Sequence, residues 1–389
     1  MAPTATTACP GPGRLHVVQW ESLSGGSHVV YPPSPVRGTR HPGDPRQRRG
    51  QSATLFRLHP VPSPFLASRV GVVPVGAGYA VPEEMVSNRV IAARLGVEEA
   101  WLSRRSGTRV RYFAAPGERL EHFAGTAALQ ALKMAQMDPG QVDAVLLGTT
   151  SAEEMSPHAA PLVAADIGAR GAAGIDVSAA CVGFLSCLIM GAAMIEAGRA
   201  RTVVAIGADL LSRYLDRDDP QSAMLFGDGA GAVVLTATDG PPGVGPSVLH
   251  SDGDGRDLIR LAREERLIRM DGPAVYRRAV QVLSDVTVEV LERTGIGLGQ
   301  IDHFIFHQAN SRIIKAVGAR LGLNRGRVVD LVDRFANTSA ASLPIALAVE
   351  AEEGRLHDGD RVLLVAFGAG LVWGGTVLTW GPPAAGPAA

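Results

Sequence analysis

One cysteine, one histidine and one asparagine, far apart in the chain, stand in contexts that suit thioester chemistry. Cys181 follows a short apolar strand and a run of small residues, in Asp176-Val-Ser-Ala-Ala-Cys181, and an Ala/Gly/Met-rich helical stretch comes after it. That pattern sets a thiol at a helix N-terminus, where backbone N–H groups and the helix dipole are expected to favour the thiolate. His307 ends an apolar run and opens His307-Gln-Ala-Asn310, and Asn337 leads Asn337-Thr-Ser-Ala-Ala-Ser342. Two neutral donors aimed at one carbonyl oxygen stabilise an enolate that forms there. Asparagine is also a common helix cap, and a helix start follows Asn337. In Phe367-Gly368-Ala369-Gly370, small residues let a backbone N–H come close to a substrate oxygen. The N–H groups of Cys181 and Ala369 could together form an oxyanion hole.

The other candidates read more simply. Cys187, six residues beyond Cys181, is expected to pack within the helix, and Cys9 sits in a Pro/Gly-rich stretch with no evident role. Gly227-Asp-Gly-Ala-Gly231 lacks the spacing of a nucleotide loop and reads as a tight turn between sheet strands.

The elements that would carry these residues repeat. Gly140-Gln-Val-Asp-Ala-Val-Leu-Leu-Gly148 resembles Gly299-Gln-Ile-Asp-His-Phe-Ile-Phe-His307. Arg201-Thr-Val-Val-Ala-Ile-Gly207 likewise resembles Arg361-Val-Leu-Leu-Val-Ala-Phe-Gly368. Both pairs lie about 160 residues apart, which points to a duplicated α/β unit rather than a solenoid. In one half, residues 123–135 have helical spacing, a turn follows at Asp138-Pro-Gly, and 142–147 reads as a buried strand. In the other, the corresponding helix is 275–291, the turn 295–299 and the strand 301–306. Runs that are apolar on both faces, such as Val203-Val-Ala-Ile, suit a sheet covered by helices on both sides.

Composition limits the function class. The chain has 389 residues, 46% of them hydrophobic and 19% charged, enough for a large two-lobed core. A net charge of −1 gives no reason to expect nucleic acid or a membrane surface as partner. Three cysteines do not make a disulfide framework, so the cytoplasm is the expected compartment. No apolar run reaches the roughly 20 residues that span a bilayer. Residues 1–67 are rich in Pro and Gly without periodicity and are expected to be a disordered extension. Residues 68–240 are expected to form the half that carries the nucleophile, and residues 241–389 the half that carries His307 and Asn337.

With these motifs in hand, residues 69–382 resemble the β-ketoacyl-acyl-carrier-protein synthase III family. The motifs run in order: Trp101-Leu-Ser-Arg-Arg105-Ser106-Gly, Ala179-Ala-Cys181-Val-Gly-Phe, Leu225-Phe-Gly-Asp-Gly-Ala-Gly, His307-Gln-Ala-Asn310, Asn337-Thr-Ser-Ala-Ala-Ser and Gly368-Ala-Gly-Leu-Val-Trp-Gly374. The resemblance implies a thiolase-like, layered α-β-α-β-α fold of two duplicated halves. It implies that Cys181 takes an acyl group from acyl-CoA and that malonyl-acyl carrier protein then condenses with it, losing carbon dioxide. His307 and Asn337 would hold the enolate, and no metal or redox cofactor would be needed.

The same resemblance assigns Trp101, Arg105, Ser106 and Arg213 to the nucleotide end of coenzyme A, Asn310 to the pantetheine arm, and Arg277 and Arg312 to carrier-protein docking. It implies a homodimer. Ser156 falls where the family often places a bulky apolar residue, contributed across the dimer, that closes the acyl pocket. A primer larger than acetyl is therefore expected, for fatty-acid or polyketide synthesis. The alternative is a related acyltransferase that makes an ester or amide without decarboxylation.

Overall fold

The computed structural model describes residues 70–381; the expectations for residues 1–67, Cys9 included, lie outside the described residues. The first described strand is β1 (Gly71–Ala80). The small hairpin of β2 (Met85–Ser87) and β3 (Val110–Tyr112) encloses helices α1 (Asn88–Leu95) and α2 (Glu99–Ser106). Then come α3 (Leu120–Met134), β4 (Ala144–Gly148), α4 (Ala159–Asp166), β5 (Ala173–Val177), α5 (Gly183–Glu196), β6 (Thr202–Asp209), α6 (Pro220–Ala223) and β7 (Gly229–Thr238). The remainder runs β8 (Val248–Ser251), β9 (Ile259–Leu261), β10 (Ile268–Met270), α7 (Gly272–Thr294), β11 (His303–Phe306), α8 (Ser311–Leu321), α9 (Val332–Phe335), α10 (Ser342–Glu352), β12 (Arg361–Gly368) and β13 (Val372–Thr379).

The duplication is written in the sheets. The first has strand order β1-β7-β6-β4-β5 and the second β11-β12-β13-β8. In the first, β1, β7 and β6 are antiparallel neighbours, and β6, β4 and β5 run parallel. In the second, β8, β13 and β12 are antiparallel neighbours and β12 and β11 run parallel. Strand for strand, β1-β7-β6-β4 and β8-β13-β12-β11 have the same order and sense, and β5 is the extra edge of the first sheet.

Burial explains the layering. All eight residues of β6 are buried, as are all five of β4, because helices cover both faces of that sheet. Helices α5 and α10 form the middle layer, where Leu185, Leu188, Leu343 and Leu347 share one core with Leu146 and Val203 from the first sheet and Ile305 and Leu364 from the second. Residues 342–350 of α10 are buried all round, which leaves that helix without a polar stripe. Helices α3 and α4 cover the outside of the first sheet, and α7 and α8 the outside of the second.

The periodic stretches mark these helices a few residues short. Helix α7 begins before its apolar stripe because Asp271 accepts the Ala274 N–H at 3.0 Å with Pro273 behind it, and it ends at Gly295 with φ +67. The reading of 227–231 as a turn is corrected: residues 229–231 are strand, paired with 207–209 of β6. Glycine is there for space, since a Cβ on Gly231 would lie 2.7 Å from the Ile345 nitrogen of α10.

Candidate active site

The local folding of three segments decides what faces the central cavity. Cys181 lies in a short 3-10 turn, Ala180–Val182, between β5 and α5. Ala180 is held at φ +46, a strained value for a residue with a Cβ, and that bend carries the chain into the cavity. On the other side, the end of β12 comes up against the nucleophile. A Cβ on Gly368 would stand 3.0 Å from the Cys181 nitrogen, so only glycine lets Ala369 follow so closely.

The thiol is not the thiolate that a helix N-terminus suggests. Desolvation pushes its pKa up to about 11, against the opposing hydrogen bond from the Ser339 hydroxyl, and the nearby Asp209 carboxylate raises it further. The N–H groups of Cys181 and Ala369 both favour the anion. They do not overcome burial, yet they are aimed at the sulfur, where negative charge on an attached acyl oxygen would develop. Cys187 is fully buried in α5 and burial raises its pKa further, in keeping with a packing role.

His307 follows β11 directly and is buried, with Nδ1 only 2.6 Å from the Ser342 hydroxyl at the start of α10. Burial lowers its pKa to about 4, so the ring is neutral near pH 7. The Ser342 oxygen also accepts the Gln308 N–H at 3.4 Å, and its one proton can be donated to Nδ1. A neutral ring that accepts at Nδ1 carries its proton on Nε2.

Asn337 is gripped by backbone on both sides: its N–H donates to Leu225 O at 2.9 Å and its carbonyl accepts the Gly227 N–H at 3.0 Å. The Leu225–Gly231 motif thus serves as a rail for Asn337. Its side-chain Oδ1 accepts the Ser339 N–H at 2.9 Å, and Nδ2 remains as a donor. Capping and a chemical role coexist in this residue. Asp228 of the same motif is a strut, accepting from Ala114 N–H and Ser212 N–H at 2.8 Å each.

A cavity of about 400 Å³ is lined by Cys181, His307, Asn337, Ser339 and Ala369, together with apolar side chains such as Met224, Leu261 and Phe367. Exposed arginines 105, 260, 277 and 312 also line it. Arg105 stacks over Trp101 at 4.5 Å from the ring centroid, and Arg312 over Tyr276 at 5.3 Å. Asn310 lines the cavity while its side chain caps α8 through the Arg312 N–H at 2.8 Å and donates to Arg105 O at 3.0 Å.

The structure separates three residues from this group. Ser106 is fully buried; its hydroxyl donates to Leu102 O and accepts the Thr108 N–H, so it closes α2. Arg213 is bound to both carboxylate oxygens of Glu153, at 2.6 and 2.8 Å, and to the Glu118 carbonyl, beside a different cleft. Ser156 is exposed in the loop before α4 and does not line the chain's own cavity. Motif reading missed Gln221 and Arg260, which do line it, and Ser339, Ser342 and Asp209, which surround the reacting groups. Asp209 carried a signal, a lone carboxylate ending an apolar strand.

Fold and site together define a thiolase-like condensing enzyme. Residues 175–253 and 291–380 match the models of 3-oxoacyl-[acyl-carrier-protein] synthase III and of its C-terminal part. The chain is 42% identical over 317 residues to β-ketoacyl-[acyl-carrier-protein] synthase III 2 of Streptomyces coelicolor, covering 80% of this chain and 94% of that one. Among solved structures, the 3-oxoacyl-(acyl carrier protein) synthase III of Pseudomonas aeruginosa PAO1 superposes with a TM-score of 0.77 at 39% identity, covering 80% of this chain and 99% of that one. The priming β-ketosynthase of the R1128 polyketide pathway gives 0.78 at 32% identity, covering 81% and 97%. The chain belongs to the β-ketoacyl-acyl-carrier-protein synthase III family, and it is a condensing acyltransferase. Among the described residues, no helix is long and apolar enough to cross a membrane, and no group of His, Cys, Asp and Glu is set to hold a metal ion.

Proposed function

We propose that the enzyme primes fatty-acid or polyketide synthesis by joining an acyl group from acyl-CoA to a malonyl unit on an acyl carrier protein. The observation that carries this reading is the convergence of Cys181, His307, Asn337 and Ala369, from four separate segments, on one cavity. The Cys181 sulfur attacks the acyl-CoA carbonyl, and the N–H groups of Cys181 and Ala369 receive the oxyanion. Coenzyme A leaves and malonyl-carrier protein enters. The bond to the malonyl carboxylate breaks, carbon dioxide departs, and the electron pair becomes an enolate held by His307 Nε2–H and Asn337 Nδ2. The enolate carbon attacks the acyl-Cys181 carbonyl, and collapse of the adduct expels the thiolate. The equation balances without a metal or redox cofactor.

The arginines at the cavity mouth support the substrate reading. Arg105, Arg260, Arg277 and Arg312 suit the phosphates of coenzyme A and the phosphopantetheine of an acidic carrier protein. The working form is a homodimer: β5 is an open sheet edge with Ile175 40% exposed, and Met155 is 77% exposed nearby in sequence. Ser156 of the partner subunit then adjoins the acyl pocket, where its small side chain leaves room for a primer larger than acetyl. The compartment is the cytoplasm, in keeping with the free thiols of Cys181 and Cys187.

The test is intact-protein mass spectrometry with a panel of acyl-CoAs, followed by malonyl-carrier protein. The expected result is an adduct on Cys181 that discharges with release of carbon dioxide and a β-ketoacyl-carrier product. An adduct that malonyl-carrier protein cannot discharge would overturn the condensation in favour of ester or amide formation.

A further inference from the structure

One buried carboxylate beside the nucleophile has no part in that scheme. Asp209 ends β6 and is fully buried. Its Oδ1 accepts the Thr150 N–H at 2.8 Å, the Ser151 hydroxyl at 2.9 Å and the Thr149 hydroxyl at 3.3 Å. Its Oδ2 accepts the Ala340 N–H at 3.2 Å. The Ser339 hydroxyl stands next to the same carboxylate and lowers its pKa, and in the structure it hydrogen-bonds the Cys181 sulfur at 3.4 Å. Among the described residues no salt bridge involves Asp209, so only dipoles solvate its charge. Ser339 is held at φ +53, a left-handed value, and the Asn337 side chain fixes it there through its N–H.

Ser339 has one hydroxyl proton and two acceptors in reach. When it donates to Asp209, its oxygen is free to accept the S–H of Cys181. His307 is the other candidate base. His307 lines the cavity, but its Nδ1 is occupied by Ser342 and burial disfavours a second proton on the ring. Asp209 is the charged group that acts on the sulfur, and its own pKa is raised by burial, which makes it a better proton acceptor than an exposed carboxylate.

We propose that Ser339 and Asp209 form a proton relay that deprotonates Cys181 as it attacks the acyl donor. The S–H bond breaks as the sulfur–acyl bond forms. The thiol proton passes to the Ser339 oxygen and the Ser339 proton passes to Asp209. Coenzyme A leaves as its thiolate and takes a proton from water. Asp209 stays protonated through the life of the acyl-enzyme and returns its proton by the same route when condensation expels the Cys181 thiolate. The relay rests on Cys181 being the nucleophile.

The experiment is the rate of acyl-enzyme formation, by rapid quench and intact mass, from about pH 6 to about pH 10, for the wild type, Ser339→Ala and Asp209→Asn. The wild-type rate is expected to change little across neutral pH. Ser339→Ala, which removes one oxygen and keeps the backbone, is expected to be about 10²-fold slower near pH 7. Its rate should rise about tenfold per pH unit and close on the wild type at the alkaline end, because hydroxide then replaces the lost base. Asp209→Asn should follow the same profile, and if that variant does not fold, Ser339→Ala decides alone. A Ser339→Ala profile parallel to the wild type, whether equal or uniformly lower, overturns the relay. A wild type that forms no adduct at Cys181 overturns the nucleophile reading itself, so the two failures are distinct.

Discussion

Ser342→Ala isolates the demand that His307 be neutral and protonated on the correct nitrogen. A neutral imidazole has one N–H, and the 2.6 Å contact from Ser342 to Nδ1 sends that proton to Nε2, the side left for substrate. Alanine leaves Nδ1 without its partner in a site where the ring is buried. An unpaired buried group costs about 1–3 kcal/mol, so a comparable loss of folding stability is expected. The two tautomers then approach equal energy, and every molecule with the proton on Nδ1 points a lone pair at the developing enolate. With equal populations about half the molecules keep the Nε2–H donor, so condensation is expected to slow about twofold, RT ln 2 or about 0.4 kcal/mol. The assay is single turnover of preformed acyl-enzyme with malonyl-carrier protein, beside the acylation rate measured separately. Acylation should be unchanged within error, since no proton on His307 is used in that step. Unchanged condensation would refute the tautomer argument, and an equal fall in both steps would show that Ser342 only holds the local fold.

Four further outcomes follow from the same geometry. Cys181→Ser should form no acyl adduct under conditions that acylate the wild type fully; a persistent adduct would remove Cys181 as nucleophile. Asn337→Ala should slow condensation about 10²–10³-fold and acylation much less, the latter only through the freed Ser339 N–H, and equal losses would argue against an enolate donor. Because the folded-state pKa of His307 is about 4 against 6.5 in the unfolded chain, folding excludes a proton that the unfolded chain binds, so stability falls as pH drops below 6.5 and the full loss, roughly 3 kcal/mol, is reached below about 4. His307→Gln should flatten that part of the acid denaturation curve, measured as urea midpoints near pH 7 and pH 4.5, and an unchanged pH dependence would contradict it. If the proposed dimer forms through the β5 edge, Ile175→Arg should move the protein to monomer in analytical ultracentrifugation; an unshifted dimer would place the interface elsewhere, and a monomeric wild type would overturn the dimer.

The duplicated α/β plan was legible because its signal is local and doubled: apolar runs such as 203–206 and 362–366 recur at one spacing, and each became an inner strand of its sheet. Cys181, His307 and Asn337 were legible because each sits in a distinctive short motif. What the motifs could not supply was orientation. Ser106 and Arg213 have residue types that suit a nucleotide, but motif reading could not show that the Ser106 hydroxyl closes α2 or that Arg213 pairs with Glu153, 60 positions away in sequence. Ser342 lies within the Asn337 motif, but its use comes from α10 starting where β11 ends, a meeting of two halves of the fold. The glycines at 227–231 misled for a related reason. Read locally they suggest a turn, whereas their smallness answers to α10 crossing the strand from above.

The same long-range packing reverses the first electrostatic expectation and clarifies the chemistry. A helix N-terminus favours a thiolate only while the competing desolvation is small. Here burial dominates, holding Cys181 as a thiol and His307 as a neutral ring. At the reacting centre the resting site therefore presents a neutral thiol and a neutral ring, with one carboxylate, Asp209, set behind Ser339 and held by N–H and O–H dipoles. Around the sulfur, new negative charge arises only during reaction, as an acyl oxyanion, an enolate or a departing thiolate. The proposed scheme assigns a donor to each: the Cys181 and Ala369 N–H groups to the first, His307 and Asn337 to the second, and Ser339 to the third. Fixed dipoles in a dry cavity stabilise such transient charge more than they stabilise a spread-out ground state. A permanent thiolate–imidazolium pair would spend those donors before the substrate arrived, and an imidazolium would have its positive charge desolvated without a partner. Burial that disfavours resting charge is thus consistent with decarboxylative condensation, in which both the nucleophile and the enolate are needed only briefly.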